Sequence, residues 1–207
     1  LGGTGVDAIT RLKTKLQRQI EPDNKDEVKK KGEEPRYEHI KFLGIDADRN
    51  WLENSGLTQG ETLNIQNYNY NVIFSPDKLD ALKNQKEMQW MSIDYMSNHL
   101  PPNPDGAGAY RQFGRWLTIA SANNIKMKLT QVITQACSGR NGGQLIVHIV
   151  TGISGGMGAG SFVDVCYIAR EVIDGLGFNA AKVFGYFVLP DAIISKDAII
   201  GNPIKTA

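Results

Sequence analysis

The stretch TGISGGMGAGSFVDV, residues 151–165, sets four glycines into six consecutive positions, between an apolar run and a segment with helical periodicity. Glycine loses more conformational freedom on folding than any other residue, about 0.5–1 kcal/mol relative to alanine. Gly155, Gly156, Gly158 and Gly160 together therefore cost roughly 2–4 kcal/mol. That is a large share of the about 5–15 kcal/mol that holds a typical domain folded. A plain turn needs one or two glycines. Four are expected where backbone takes left-handed angles, or where a ligand must come close to main-chain N–H groups.

The flanks place this turn. Gln144 to Ile153 (QLIVHIVTGI) is β-branched and almost continuously apolar, which suits a strand buried on both faces of a parallel sheet. Beyond the glycines, Phe162, Val165, Ile168, Ala169, Val172, Ile173 and Leu176 recur at helical spacing, with Ser161 as the expected cap and Gly177 as a stop signal. Strand, glycine turn and helix in that order aim free N–H groups and the positive end of a helix dipole at the turn. The natural occupant is a phosphate. The alternative is a close packing turn between strand and helix.

Of 207 residues, 41% are hydrophobic and 22% charged, the balance of an ordinary globular chain, and the net charge of +1 makes no electrostatic case for nucleic acid. No apolar run approaches the roughly 20 residues of a membrane-spanning helix. Cys137 and Cys166 show neither metal-ligand nor redox spacing, and a reducing cytoplasm fits them best. His39 and His99 have no partner at ligand spacing, so no metal site is expected. A chain that opens on a glycine turn is expected to have lost the strand preceding it.

Along the chain, Val6, Ile9, Leu12, Leu16 and Ile20 form the stripe of an amphipathic helix that follows Leu1-Gly2-Gly3-Thr4-Gly5. Residues 21–38 are dominated by charge and read as a solvated loop or insertion. Tyr37 to Ile45 reads as a strand, Leu57 to Phe74 as irregular with a short hairpin, and Ser75-Pro76 as the start of a short helix. Helices are expected over Tyr110 to Ala122 and Ile125 to Cys137, divided at Asn123-Asn124. Another buried strand is expected over Ala181 to Leu189. The alternation argues for one α/β domain over residues 1–207, Rossmann-like and three-layered, with a mainly parallel sheet.

In such a sheet ligands gather beyond the carboxyl ends of the strands. Four stretches belong there: LGGTGVD, IDADRNWL, PDGAGAYR and ISGGMGAGS. Taken singly, Gly3 to Ala8 fits the G-x-G-x-x-A dinucleotide pattern, which keeps an NAD-dependent oxidoreductase open as an alternative. The ribose-binding acid should then follow about 20 residues later, whereas Asp46 lies much farther on. Asp46 and Asp48 can equally cap the following segment. Arg111 and Arg115 can reach phosphate or face solvent, His148 suits the sheet interior, and Trp51, Trp90 and Trp116 suit packing.

Together the four stretches resemble the tubulin/FtsZ superfamily, and in particular its divergent bacterial tubulin-like proteins. Ser154-Gly155-Gly156-Met157-Gly158-Ala159-Gly160 is similar to the family's glycine turn after the fourth strand, except at Met157, where the family has threonine. Gly2-Gly3-Thr4-Gly5-Val6-Asp7-Ala8-Ile9 resembles its first turn, with Asp7 for asparagine. Ile45-Asp46-Ala47-Asp48-Arg49-Asn50-Trp51-Leu52 echoes its second, and Gly106-Ala107-Gly108 with Arg111 and Arg115 its third.

The resemblance implies a cytoplasmic GTP-binding domain that polymerises head to tail into filaments. It places Gly2, Gly3, Thr4 and Gly5, together with Ser154, Gly155, Gly156, Met157, Gly158, Ala159, Gly160 and Ser161, around the α- and β-phosphates. Gly106, Ala107 and Gly108, with Arg111, fall at the γ-phosphate. Asp46, Ala47 and Asp48 fall beside phosphate-bound Mg²⁺, Asp7 near the nucleoside, and Pro190 near the ribose of GTP or GDP. No residue is assigned a catalytic role. The family completes hydrolysis with acidic residues of the neighbouring subunit, carried after a long central helix, so this chain is expected to bind nucleotide and hydrolyse it slowly or not at all. A tubulin-like scaffold with a degenerate, nucleotide-free pocket stays open beside this reading.

Overall fold

The computed structural model describes residues 1–27, 39–66, 86–92, 94–95, 106–139 and 143–189. The expected helix after Ser75, the tail from residue 191 and Pro190 lie outside the described residues.

Helix α5 (Gly156–Gly175) is the centre of the packing. Its buried positions Met157, Ser161, Val165 and Ala169 recur every four residues and continue through Val172 and Ile173, drawing one stripe along the helix. Helices α3 (Arg111–Ala120) and α4 (Ala122–Cys137) cover that stripe, α3 through Phe113 and Leu117 and α4 through Ile125, Leu129 and Ile133. The ion pair between Arg115 and Asp164, at 3.0 Å, ties α3 to α5, and the Arg115 guanidinium stands 4.5 Å over the Trp90 ring. The break between α3 and α4 falls at Ser121 instead of Asn123-Asn124, which both lie in the first turn of α4.

Strands β1 (Gly44–Asp46) and β2 (Thr62–Asn64) pair in parallel, with Ile45 opposite Leu63. Thr62–Asn64 therefore runs alongside β1, and the rest of the expected hairpin, residues 67–74, lies outside the described residues. Strands β3 (Ile146–Gly152) and β4 (Lys182–Val188) form a second parallel pair, with Ile149 opposite Gly185. Helix α1 (Gly2–Glu27) packs on both β1 and β3 and so bridges the two pairs. The short helix α2 (Arg49–Glu53) follows β1. Val6 of α1, fully buried, meets Leu52 and Leu57 in a small core of its own. The result is the expected α/β fold with parallel strands, divided among the described residues into two pairs.

Four further expectations about these elements need correction. The charged stretch from residue 21 is not loop from its start, because α1 continues to Glu27; glutamate and lysine are good helix formers, and charge alone does not stop a helix. Ser161 does not cap α5. The cap is Gly155, with α5 beginning five residues earlier, and the Ser161 hydroxyl donates back to Met157 O at 2.7 Å. Strand β1 covers only the end of Tyr37 to Ile45. Strand β4 is not buried on both faces: Phe184, Tyr186 and Phe187 are close to half exposed.

Candidate functional site

Helix α5 leaves the end of β3 through Ile153, Ser154 and Gly155. None of Gly155, Gly156, Gly158 and Gly160 has a positive φ. Space, and not left-handed backbone, explains three of them. A Cβ on Gly156 would lie 2.5 Å from Gly108 O and 2.7 Å from Ala107 O; on Gly158, 2.5 Å from Thr151 Oγ1 and 2.6 Å from Gly152 O; on Gly160 it would collide with Arg111 O. The close-packing alternative therefore accounts for Gly156, Gly158 and Gly160. Gly155 differs, since among the described residues a Cβ there would meet nothing within 4 Å, and this glycine stands at the head of the helix.

Gly2 to Gly5 are likewise not a loop but the first turn of α1. Gly2 takes φ +65°, and a Cβ on it would stand 2.8 Å from Gly158 N. The first turns of α1 and α5 thus abut. Thr4 rests against Gly152, and Gly5 sits so tightly on Val150 O that a side chain would collide with it. Two helix N-termini side by side concentrate the positive ends of two dipoles in one place. Among the described residues the amides of Met157 and Gly158 meet no acceptor, while Gly156 N donates to Gly108 O at 2.8 Å. Met157 turns its side chain into the core, so only its amide is offered at the turn.

At the end of β1, Asp46 is buried and its Oδ1 accepts from its neighbours Ala47 N (2.7 Å) and Asp48 N (3.2 Å). Burial pushes the Asp46 carboxyl above its ordinary range, against the pull of those two N–H groups. Asp48 caps α2, accepting from Trp51 N at 2.8 Å. Ala47 and Ala107 are both buried.

The four turns close into a ring. The first meets the fourth at Gly2 and Gly158, and the fourth meets the third through the Gly156 to Gly108 hydrogen bond. The third meets the second where a Cβ on Gly106 would lie 3.2 Å from Asp48 Cβ, with Gly106 at φ +77°. The second returns to the first where the Trp51 indole lies 3.3 Å from the place of a Gly3 Cβ. Beside this ring opens a pocket of about 380 Å³ lined by Asp7, Asp48, Asn50, Trp51, Asn54 and Ser55.

The structure therefore brings Gly2, Gly3, Asp48, Gly106, Ala107, Gly108, Gly156 and Gly158 into this ring, with Asp7 on the pocket beside it, whereas Thr4 and Gly5 pack on β3 and Gly160 packs on α3. Ser161 is buried beneath the rim with its hydroxyl engaged inside the helix. Arg111 is exposed at the head of α3, with its carbonyl over Gly160, and Arg115 is held by Asp164 and Trp90. Trp51 is the residue whose place the sequence reading missed: 46% exposed, it forms a wall and not core. Its position three residues after Asp48, on the first turn of a capped helix, was the available signal.

Parallel strands followed by tight turns into helices, with those turns meeting at one rim, define a class of α/β protein in which ligands gather beyond the carboxyl ends of the strands. Within that class, the chain matches the family described as "Tubulin like" over residues 1–203, and it belongs to that family. No curated protein and no solved structure matches it.

Proposed function

We propose that this chain is the GTP-binding domain of a bacterial tubulin-like protein, which assembles head to tail into filaments under control of the bound nucleotide. The observation that carries the reading is the juxtaposition of two helix N-termini at Gly2 and Gly158, inside a ring of four turns. A polyphosphate set against Gly155 and the amides of Met157 and Gly158 replaces water as the acceptor those donors require. Because Met157 turns inward, the fourth turn binds through main chain alone, without the threonine hydroxyl.

In this reading a Mg²⁺ would be held by phosphate oxygens and water. Asp48, on the pocket wall, keeps acceptor capacity beyond its bond from Trp51 N and is the residue to orient such water. The ion would neutralise phosphate charge. Hydrolysis is completed by acidic groups of a neighbouring subunit.

Titration of the full-length protein with GTP, ATP and NAD in the presence of Mg²⁺ tests the reading. GTP is expected to bind most tightly and to increase light scattering through assembly. Tighter binding of NAD than of either triphosphate would replace this reading with the oxidoreductase one, and no binding of any of the three would leave the nucleotide-free scaffold.

A further inference from the structure

The second turn is held from below by a residue that the ring itself does not contain. Strands β1 and β2 run in register, so that Asp46 stands opposite Asn64, each at the carboxyl end of its strand. Ile65 N donates to Asp46 O at 2.9 Å and closes the pair. The two side chains divide the polar groups of the turn between them. Asp46 Oδ1 accepts from Ala47 N and, at 3.2 Å, from Asp48 N, while Asn64 Nδ2 donates to Ala47 O at 3.1 Å. Asn64 Oδ1 in turn accepts from Gln66 N at 3.0 Å, and this N–H settles which end of the amide faces the turn. Ala47 O and Asp48 N belong to a single peptide plane, so that plane is fastened at both ends. Ala47 is fully buried, and its carbonyl depends on Asn64, the donor that meets it among the described residues.

Resting on the nucleotide reading above, we propose that Asn64 is a positioning residue for Asp48: by holding the peptide between Ala47 and Asp48 it fixes where the Asp48 carboxylate stands on the pocket wall. A peptide unit is planar, and the soft rotations are those on either side of it, ψ of Ala47 and φ of Asp48. With both ends of the plane fastened, neither rotation is free. Asp48 has little room for error. Its Cβ lies 3.2 Å from the place of a Cβ on Gly106, and its Oδ1 must still meet Trp51 N at 2.8 Å to start α2. Asparagine suits the task because its amide presents donor and acceptor together, whereas ionised aspartate lacks the donor and alanine lacks both. Asn64 lies outside the pocket lining, so its action on a ligand passes through Asp48.

Amide exchange on the ligand-free full-length protein, and calorimetry with GTP in the presence and absence of Mg²⁺, separate this proposal from the reading it rests on. In Asn64→Ala the Asp48 amide is expected to exchange on the order of fivefold faster and to fall out of step with the Gly158 amide, whose rate stays as it was. The gain in GTP affinity that Mg²⁺ brings is expected to shrink in Asn64→Ala as it does in Asp48→Asn, and the double variant to match Asp48→Asn alone. Asn64→Gln, which keeps both amide groups on a longer stem, is expected to recover part of the loss. Additive effects of the two substitutions, or a lower urea midpoint in Asn64→Ala with the Mg²⁺ gain and the Asp48 amide unchanged, would reduce Asn64 to a structural contact and overturn the proposal. Failure of the natural chain to bind GTP with Mg²⁺ overturns the nucleotide reading instead, and the Asp48 amide then decides the positioning role alone.

Discussion

The two ends of strand β3 are built differently. At its carboxyl end Thr151 and Gly152 are buried, pressed between Thr4 of α1 and Gly158 of α5. At its amino end Ile146 and His148 are exposed, and across the pair Phe184 stacks on His148 at 5.6 Å while Tyr186 meets the His148 ring through its hydroxyl at 3.0 Å. Burial along β3 thus rises toward the rim where the turns meet. On β3 close packing is concentrated at the rim, while the aromatic face of the pair, His148 with Phe184 and Tyr186, stays uncovered by the described residues.

The contrast can be broken by mutation, and the expected effects form a descending series. Phe113→Ala, in the core of α3 directly beneath the rim, should destabilise by about 3–5 kcal/mol, read as a lower urea midpoint at unchanged slope; a loss under about 1 kcal/mol would show that the rim does not lean on this core. Gly160→Ala forces a methyl group against Arg111 O and should cost about 1–3 kcal/mol by overpacking. If it proved neutral, α5 would not be clamped to α3 as described.

A smaller, pH-dependent effect is expected at Asp46. Its folded carboxyl holds a proton more readily than in the unfolded chain, where aspartate titrates near about 3.9. The contribution of this group to stability is therefore fully present below the unfolded value and is lost as pH rises through the folded one. Asp46→Asn keeps an acceptor for Ala47 N and removes the titration, so its stability relative to the natural chain should improve as pH is raised over that interval. A constant difference across the titration would place Asp46 in contact with more water than its burial implies. Smallest of all, Phe184→Ser on the open aromatic face should alter stability by about 0.5 kcal/mol or less, and a shift as large as that of Phe113→Ala would erase the distinction between the two ends.

Much of this architecture was legible in the chain itself. The apolar run through Ile153 followed by the spacing of Val165, Ala169, Val172 and Ile173 specified a strand, a turn and a helix, and those elements exist in that order. The helix starts were misread because glycine disfavours helix, so Gly2 to Gly5 and Gly156 to Gly160 looked like loop; contact with Val150 O, Gly108 O and Arg111 O overrides that preference, since only a residue without Cβ fits. The four turns were identifiable singly. Their closure into a ring was not, because the contacts between Gly106 and Asp48 and between Trp51 and Gly3 join positions far apart in the chain. The exposure of β4 was hidden for a related reason: AKVFGYFVL is apolar without alternation, and such a run does not say whether its second face has a neighbour.

The ring has a dynamic consequence. Each of its four turns touches the next and the last touches the first, so a ligand that steadies one of them slows the opening of all. Amide protons from Gly2, Asp48, Gly108 and Gly158 should then exchange with solvent as one cooperative unit, and saturation with ligand should slow them in step, because a closed chain of contacts has no free end from which to fray.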